Sequence, residues 1–339
     1  MPSALVTGGA GFIGSHLVRE LLARGFSVAC LIRKTTRLER LSGLPVTLAY
    51  GDVTDRESLK GPLSDVSIVF HLASCNQAVR SHDFYRVNEQ GPRNLYEVAA
   101  SLSLPPVVVQ VSSLAAAGPS PRGRLRADGD PNCPVSHYGR SKRGGERAAE
   151  EYASRVPATI VRPCIVFGEG DRTGLDLFRA VALSRIHFVP GYLPNRFSLI
   201  HVADLVPWLI LAAERGKRLA VPGITTTNSP PPGYYFAAST EHPTYYQFGQ
   251  MIGRALGVRC LSMPWATAVV WPIATVNDLI GRWQGRPASL NLDKAREATA
   301  GSWACSPQST IDDLGLAPTV PLQERLNQTV AWYRAEGWL

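Results

Sequence analysis

Seven residues near the start, Gly8-Gly9-Ala10-Gly11-Phe12-Ile13-Gly14, constrain this chain more than any other stretch. They follow the short apolar run 4–7 and open an apolar-periodic segment, 12–24, that Gly25 stops. Glycines spaced G-x-x-G-x-x-G permit a tight turn and let the backbone approach a pyrophosphate. The helix that follows offers unpaired N–H groups and a partial positive charge to the same anion. Glycine is common in turns, so the strand–turn–helix setting, and not the glycines alone, carries the reading.

The pattern around this turn repeats along the first half. Strand-like runs at 27–33, 46–50, 68–72, 107–112 and 158–162 alternate with helical segments at 56–63, 84–102 and 138–153. Such alternation implies βαβ units and a parallel sheet covered on both faces, a doubly wound α/β (Rossmann) fold. After Pro163 the regularity breaks. Residues 168–174 and 190–194 read as loops, 197–202 and 204–214 as one more strand and helix. Ser229-Pro230-Pro231-Pro232-Gly233 reads as a rigid connector, and 234–237 as a return to the sheet. We expect residues 1–168 to form the nucleotide-binding domain, with 197–240 contributing to it. Residues 169–196 and 241–339 should form a smaller, helix-rich substrate domain; 339 residues suffice for both.

Composition excludes several classes. A hydrophobic share of 45% and a charged share of 18% rule out a disordered chain. The net charge of +8 comes from scattered arginines. Their one local cluster, Arg122, Arg124 and Arg126, lies in a Pro/Gly-rich loop and argues for no nucleic-acid partner. Six cysteines form no C-x-x-C pair, and Cys30 and Cys164 fall within apolar runs, as buried thiols in a reducing compartment do. No signal peptide is read at the N-terminus, so the expected location is cytoplasmic. Residues 260–277 carry no charge, but Pro264, Pro272 and polar residues interrupt them, and no transmembrane span is expected.

Four further signals bear on chemistry. The end of the second strand carries Arg33, Lys34 and Arg37, with no carboxylate before Glu39. An acidic residue there binds the ribose hydroxyls of NAD, whereas an arginine accommodates the 2′-phosphate of NADP. The placement favours NADP(H), with NAD as the alternative and a solvent-facing arginine as the plain reading. Asp52 closes the third strand, with Val53 beside it, placed either to accept from an adenine amino group or simply to cap a turn. Tyr138-Gly139-Arg140-Ser141-Lys142 sets a phenol and an ammonium at i and i+4, on one helix face. A neighbouring cation favours the phenolate and brings Tyr138 towards use as a general acid/base. The strand-like run from Val107 ends in Ser112-Ser113, where a hydroxyl could reach a substrate oxygen across the crevice or merely punctuate a turn.

Together these residues resemble the extended short-chain dehydrogenase/reductase family, also called NAD-dependent epimerase/dehydratase. The likeness runs through Thr7 to Gly14, Asp52-Val53, His71-Leu72-Ala73, Asn88 with Gly91 and Asn94, Ser112-Ser113 and Tyr138-x-x-x-Lys142. It continues through Arg162-Pro163, Phe167-Gly168, His201-Val202-Ala203-Asp204 and Trp332-Tyr333 with Gly337-Trp338. It implies a catalytic Ser113, Tyr138 and Lys142, Ser113 being chosen over Ser112 by its distance from Gly118. Tyr138 would exchange a proton with the alcohol or ketone, Ser113 would polarise the substrate oxygen, and Lys142 would lower the phenol pKa and hold the nicotinamide ribose. The cofactor walls it implies are Leu72, Ala73, Ser74, Val111, Pro163 and Ile165, which join the contacts expected from Gly8, Gly11, Phe12, Ile13, Gly14, Arg33, Asp52 and Val53. Neither a metal site nor a nucleophile elbow is read, and a homodimer is expected by likeness.

Departures from the family pattern narrow the reaction. Ser113-Leu114-Ala115-Ala116 lacks the Asp-Glu pair that sugar-nucleotide dehydratases carry after the serine. Arg196 stands five residues before His201, one more than in nucleotide-sugar epimerases. The segment 264–280 looks like the apolar lid region of the 3β-hydroxysteroid dehydrogenase and dihydroflavonol reductase branch. It reads equally as a core helix, a substrate lid or a membrane-surface contact. The reading is an NADP-dependent oxidoreductase of a moderately apolar small molecule. The alternatives are a nucleotide-sugar C4 epimerase and a redox-sensing binding protein without turnover.

Overall fold

The computed structural model describes residues 2–220, 232–288 and 290–339; part of the expected connector, 229–231, lies outside them. The chain begins with β1 (Ser3–Thr7), α1 (Phe12–Ala23), β2 (Ser27–Ile32), β3 (Thr47–Tyr50), α2 (Lys60–Leu63) and β4 (Ile68–His71). Next come α3 (Ser81–Tyr85), α4 (Gly91–Ser101), β5 (Val107–Val111), α5 (Leu114–Ala117), α6 (His137–Glu151) and β6 (Ala158–Pro163). Then follow β7 (Ile165–Phe167), α7 (Arg172–Ser184), β8 (Ile186–Pro190), β9 (Leu199–His201), α8 (Val202–Glu214) and β10 (Tyr234–Ala237). The chain closes with α9 (Tyr245–Leu256), β11 (Leu261–Trp265), α10 (Thr267–Gln284), α11 (Leu292–Ala298), α12 (Gln308–Leu314) and α13 (Leu322–Ala335).

Seven strands form one parallel sheet in the order β10-β6-β5-β4-β1-β2-β3. Alternation along β1 shows why both faces are covered. Ala4 and Val6 pack into a core beneath α1 and α8, whereas Leu5 packs into a second core with Leu95, Tyr96 and Ala148. The doubly wound sheet expected from the β-branched runs is therefore present. Strand order reverses between β1 and β4, so a crevice opens at their carboxyl ends beside the glycine turn.

Two expectations change. The long helix expected at 84–102 is present and starts three residues earlier, but it winds as a π-helix through Arg86–Gln90, between α3 and α4. The strand expected at 197–202 shortens to β9 and pairs with β7 in a separate two-stranded sheet, while β10 completes the main one. A second small sheet, β8 with β11, joins segments far apart in the chain. α7, α9 and α13 share a further apolar core with Phe197 and Tyr333.

Candidate functional site

One groove of about 1350 Å³ runs from the glycine turn across the carboxyl ends of the strands and under β8. Gly8 turns with φ +73, and a Cβ there would stand 2.8 Å from the Ala73 nitrogen. A Cβ on Gly14 would collide with the Gly8 carbonyl. The turn thus keeps bare backbone against the groove at the start of α1, a cradle that fits a pyrophosphate. Phe12, Ile13, Asp52, Val53, Leu72, Ala73, Ser74, Val111, Pro163 and Ile165 line the same groove with Gly8, Gly11 and Gly14. Asp52 Oδ1 accepts from the Thr54 amide at 2.9 Å and from its hydroxyl at 2.8 Å, so the turn-capping role is filled on one oxygen. Arg33 and Arg37 are exposed along the groove beyond β2, and Arg33 N donates to Thr36 Oγ1. Two guanidinium groups at that rim fit a 2′-phosphate.

Ser113, Tyr138 and Lys142 all line this groove, with Ser113 hydrogen-bonded to the Tyr138 phenol. The two serines divide sharply. Ser112 is buried and donates at 2.6 Å to Glu146, which also holds Arg162 in a buried ion pair at 2.7 Å. That places Ser112 and Arg162 in the support beneath the site. Ser113 faces the groove; its Oγ accepts from the Ala115 amide at 3.1 Å, starting α5. Burial pushes the Tyr138 phenol above its ordinary pKa, against a lowering pull from Lys294 and hydrogen bonds from Ser113 and Ser74. Lys142 is buried, and its Nζ donates to the Val111 carbonyl at 2.7 Å. Burial lowers its pKa to about 8, against the raising effect of Glu146.

The cation over the phenol ring is therefore not the one read from the i, i+4 spacing. Lys294 Nζ lies 5.4 Å from the centre of the Tyr138 ring. Burial works against its charge, but Glu297, Tyr138 and Asp293 outweigh that and hold its pKa above the usual value. The same short helix, α11, caps α6. Asp293 accepts from the His137 amide at 2.7 Å and the Tyr138 amide at 3.0 Å, and Glu297 accepts from Ser136 Oγ at 2.7 Å. Sequence reading missed these three residues. Asn291, whose side chain accepts from the Lys294 amide, marks the start of a helix, but no local signal says where that helix docks.

The π-helical turn aims Asn88 into the same place. Its Nδ2 donates to the Cys75 carbonyl and to Ser141 Oγ; its Oδ1 accepts from the Cys75 amide and Ser74 Oγ. Ser74 is thereby held where it reaches Tyr138. Beyond the triad the groove is walled by Leu177, Phe178, Phe197, Leu199, Tyr245 and Phe248, an apolar end. Arg196 is spent elsewhere, donating to the His242 carbonyl at 2.9 Å. The basic loop is likewise engaged: Arg124 pairs with Asp130, and buried Arg126 donates to the Pro119 and Pro131 carbonyls. Among the described residues no group of His, Cys, Asp or Glu could hold a metal ion, and no helix is long and apolar enough to cross a membrane.

The site can be set beside known proteins. The model of the NAD dependent epimerase/dehydratase family matches residues 4–225. The chain is 29% identical over 339 residues to the ceramide reductase of Caulobacter vibrioides, spanning 98% of this chain and 95% of that one. Identity to sterol demethylase protein B of Methylococcus capsulatus is also 29%, over 354 residues, 99% of this chain and 100% of the other. The fold resembles that of UDP-glucose 4-epimerase from Thermus thermophilus, solved with NAD, with a TM-score of 0.73 and 22% identity over 98% of this chain and 99% of that one.

Proposed function

The chain belongs to the NAD dependent epimerase/dehydratase family, and we propose that it is an NADP-dependent oxidoreductase interconverting a secondary alcohol and its ketone. That it is an NAD(P)-dependent enzyme follows from the family. The observation that carries the finer reading is the meeting of Ser113, Tyr138 and Lys142 in the groove that starts at the glycine turn. When bound, the dinucleotide supplies or accepts hydride at its nicotinamide. Gly8 to Gly14 would hold its pyrophosphate, Arg33 and Arg37 its 2′-phosphate, and Lys142 its nicotinamide ribose. Tyr138 gives or takes the proton at the substrate oxygen, and Ser113 donates a hydrogen bond to that oxygen as charge develops.

The apolar far end of the groove supports a moderately apolar substrate, in keeping with relatives named for a ceramide and a sterol. A nucleotide-sugar epimerase would use the same triad, and the likeness to UDP-glucose 4-epimerase keeps that second reading alive. Arg196, turned to His242, speaks against it. Absorbance at 340 nm separates the two. NADPH consumed in step with an apolar ketone supports the reductase. A cofactor that co-purifies and never turns over supports the epimerase and sinks the reductase. We keep the domain division, 1–168 with 197–240 against the rest, inside this proposal. A cytoplasmic setting, supported by six free cysteines, and a homodimer belong to it too; sedimentation equilibrium reads the latter.

A further inference from the structure

Helix α10 is turned inside out for a surface helix. Its buried side is narrow, made by Val270, Ala274 and Gly281. At 100° per residue the opposite side collects Val269, Pro272, Val276, Leu279, Ile280 and Trp283, all exposed, Leu279 by 61% and Trp283 by 86%. No charge interrupts that side. Further apolar side chains are exposed on the outer face of the β8–β11 sheet, whose second strand leads directly into α10. There Phe188 is opposite Met263 in register, and the Phe188 ring lies 5.0 Å from that of Trp265. Tyr192 and Leu193, each 69% exposed, follow in the loop tied to Trp265 by the Gly191 amide. Exposed apolar side chains gathered on these consecutive elements mark an interaction site.

The charges around it say which kind. Exposed Arg185 and Arg259 stand at the start of β8 and β11, and exposed Arg282 and Arg286 at the end of α10. The one carboxylate on α10, Asp278, is paired with Arg282 at 2.8 Å. A second copy docked face to face about a twofold axis would bring like charges together. An anionic lipid surface would meet the arginines with phosphate and take up the tryptophan and leucines between them, as in-plane helices do.

We propose that α10, with the outer face of β8 and β11, docks the protein on the surface of an anionic bilayer. Strand alternation gives the docking a consequence. His187 of β8 lines the groove while Phe188 beside it points to the bilayer, so the apolar end of the groove lies directly behind the docking face. This proposal does not rest on the oxidoreductase reading, because vesicle binding requires no turnover.

The test is co-sedimentation of the full chain with vesicles of phosphatidylcholine, with and without phosphatidylserine. Expected is sedimentation favoured by phosphatidylserine and weakened by salt, falling roughly tenfold or more in a Leu279→Asp/Trp283→Glu double variant. In an Arg282→Glu/Arg286→Glu variant the preference for phosphatidylserine should vanish while the unfolding midpoint stays that of the wild type. The proposal is overturned if no vesicle carries the chain down, or if the double variant, still folded, binds as well as wild type. A concentration-dependent dimer that Trp283→Glu dissolves, with no vesicle binding, would instead make this face a contact between copies.

Discussion

The groove that holds Tyr138 has two lysines nearby in opposite circumstances, Lys142 in its lining and Lys294 over the phenol ring. Lys142 is buried with its ammonium on a backbone carbonyl, and its pKa falls to about 8. Lys294 is half-buried beside Glu297 and keeps its charge. Over the range where Lys142 titrates, Lys294 is thus the steadier source of positive potential at the phenol. Replacing it by methionine should move the alkaline-favoured limb of alcohol oxidation up by about one pH unit and lower kcat, with Lys294→Arg restoring both. A limb that does not move would assign Lys294 to the support of α6 alone. Tyr138→Phe should cut turnover by orders of magnitude and leave dinucleotide binding nearly intact. Lys142 also writes itself into stability. Its folded pKa lies below the free value of 10.5, so between pH 8 and 10.5 the unfolded chain binds more protons and stability rises with pH. That gain, on the order of 3 kcal/mol, should be absent from urea titrations of Lys142→Met, which should be the more stable protein at pH 7.

At the scale of elements, the site depends on joints between helices as much as on the strands that carry it. The π-helical turn is the clearest. Asn88 satisfies both backbone groups of Cys75 and holds Ser74 and Ser141, joining the loop after β4 to α6. Asn88→Leu would strand those groups, at a cost of about 3 kcal/mol in chemical denaturation, and should lower kcat more than it raises KM. A loss of stability with kcat intact would make the joint purely structural. The sequence carried a mark of this joint that periodicity alone does not interpret. Gly144 and Gly145 sit mid-helix in α6, where glycine is unfavourable, because a Cβ on Gly145 would collide with the Asn88 carbonyl oxygen. The strands β1, β2, β4, β5 and β6 were legible because β-branched runs between turn residues have few other fates. The docking of α11 was not. Asp293 meets the Tyr138 amide across 155 residues, and nothing near either one requires it.

Over the whole molecule, the two ends of the groove differ in how far they can be read in advance. The glycine turn, Arg33 and Asp52 lie within 52 residues of the start and follow directly from strand–turn–helix order. The apolar end draws Leu177, His187, Phe197, Tyr245 and Phe248 from segments whose spacing obeys no period. Its chemistry emerges only when α7, β8 and α9 pack. This asymmetry makes cofactor choice the better global test. A ligand that binds only the folded chain at a hundred times its Kd stabilises it by about 2.7 kcal/mol. For a protein of this length that raises the unfolding midpoint by about 4 °C. On the proposed reading NADPH should give such a shift at concentrations where NADH gives little, because Arg33 and Arg37 line the groove where they would meet a 2′-phosphate. Arg33→Asp should shrink the NADPH shift and enlarge that of NADH. An NADH shift that exceeds the NADPH shift in the wild-type chain would reassign the cofactor and leave Arg33 as a solvent-facing strand end.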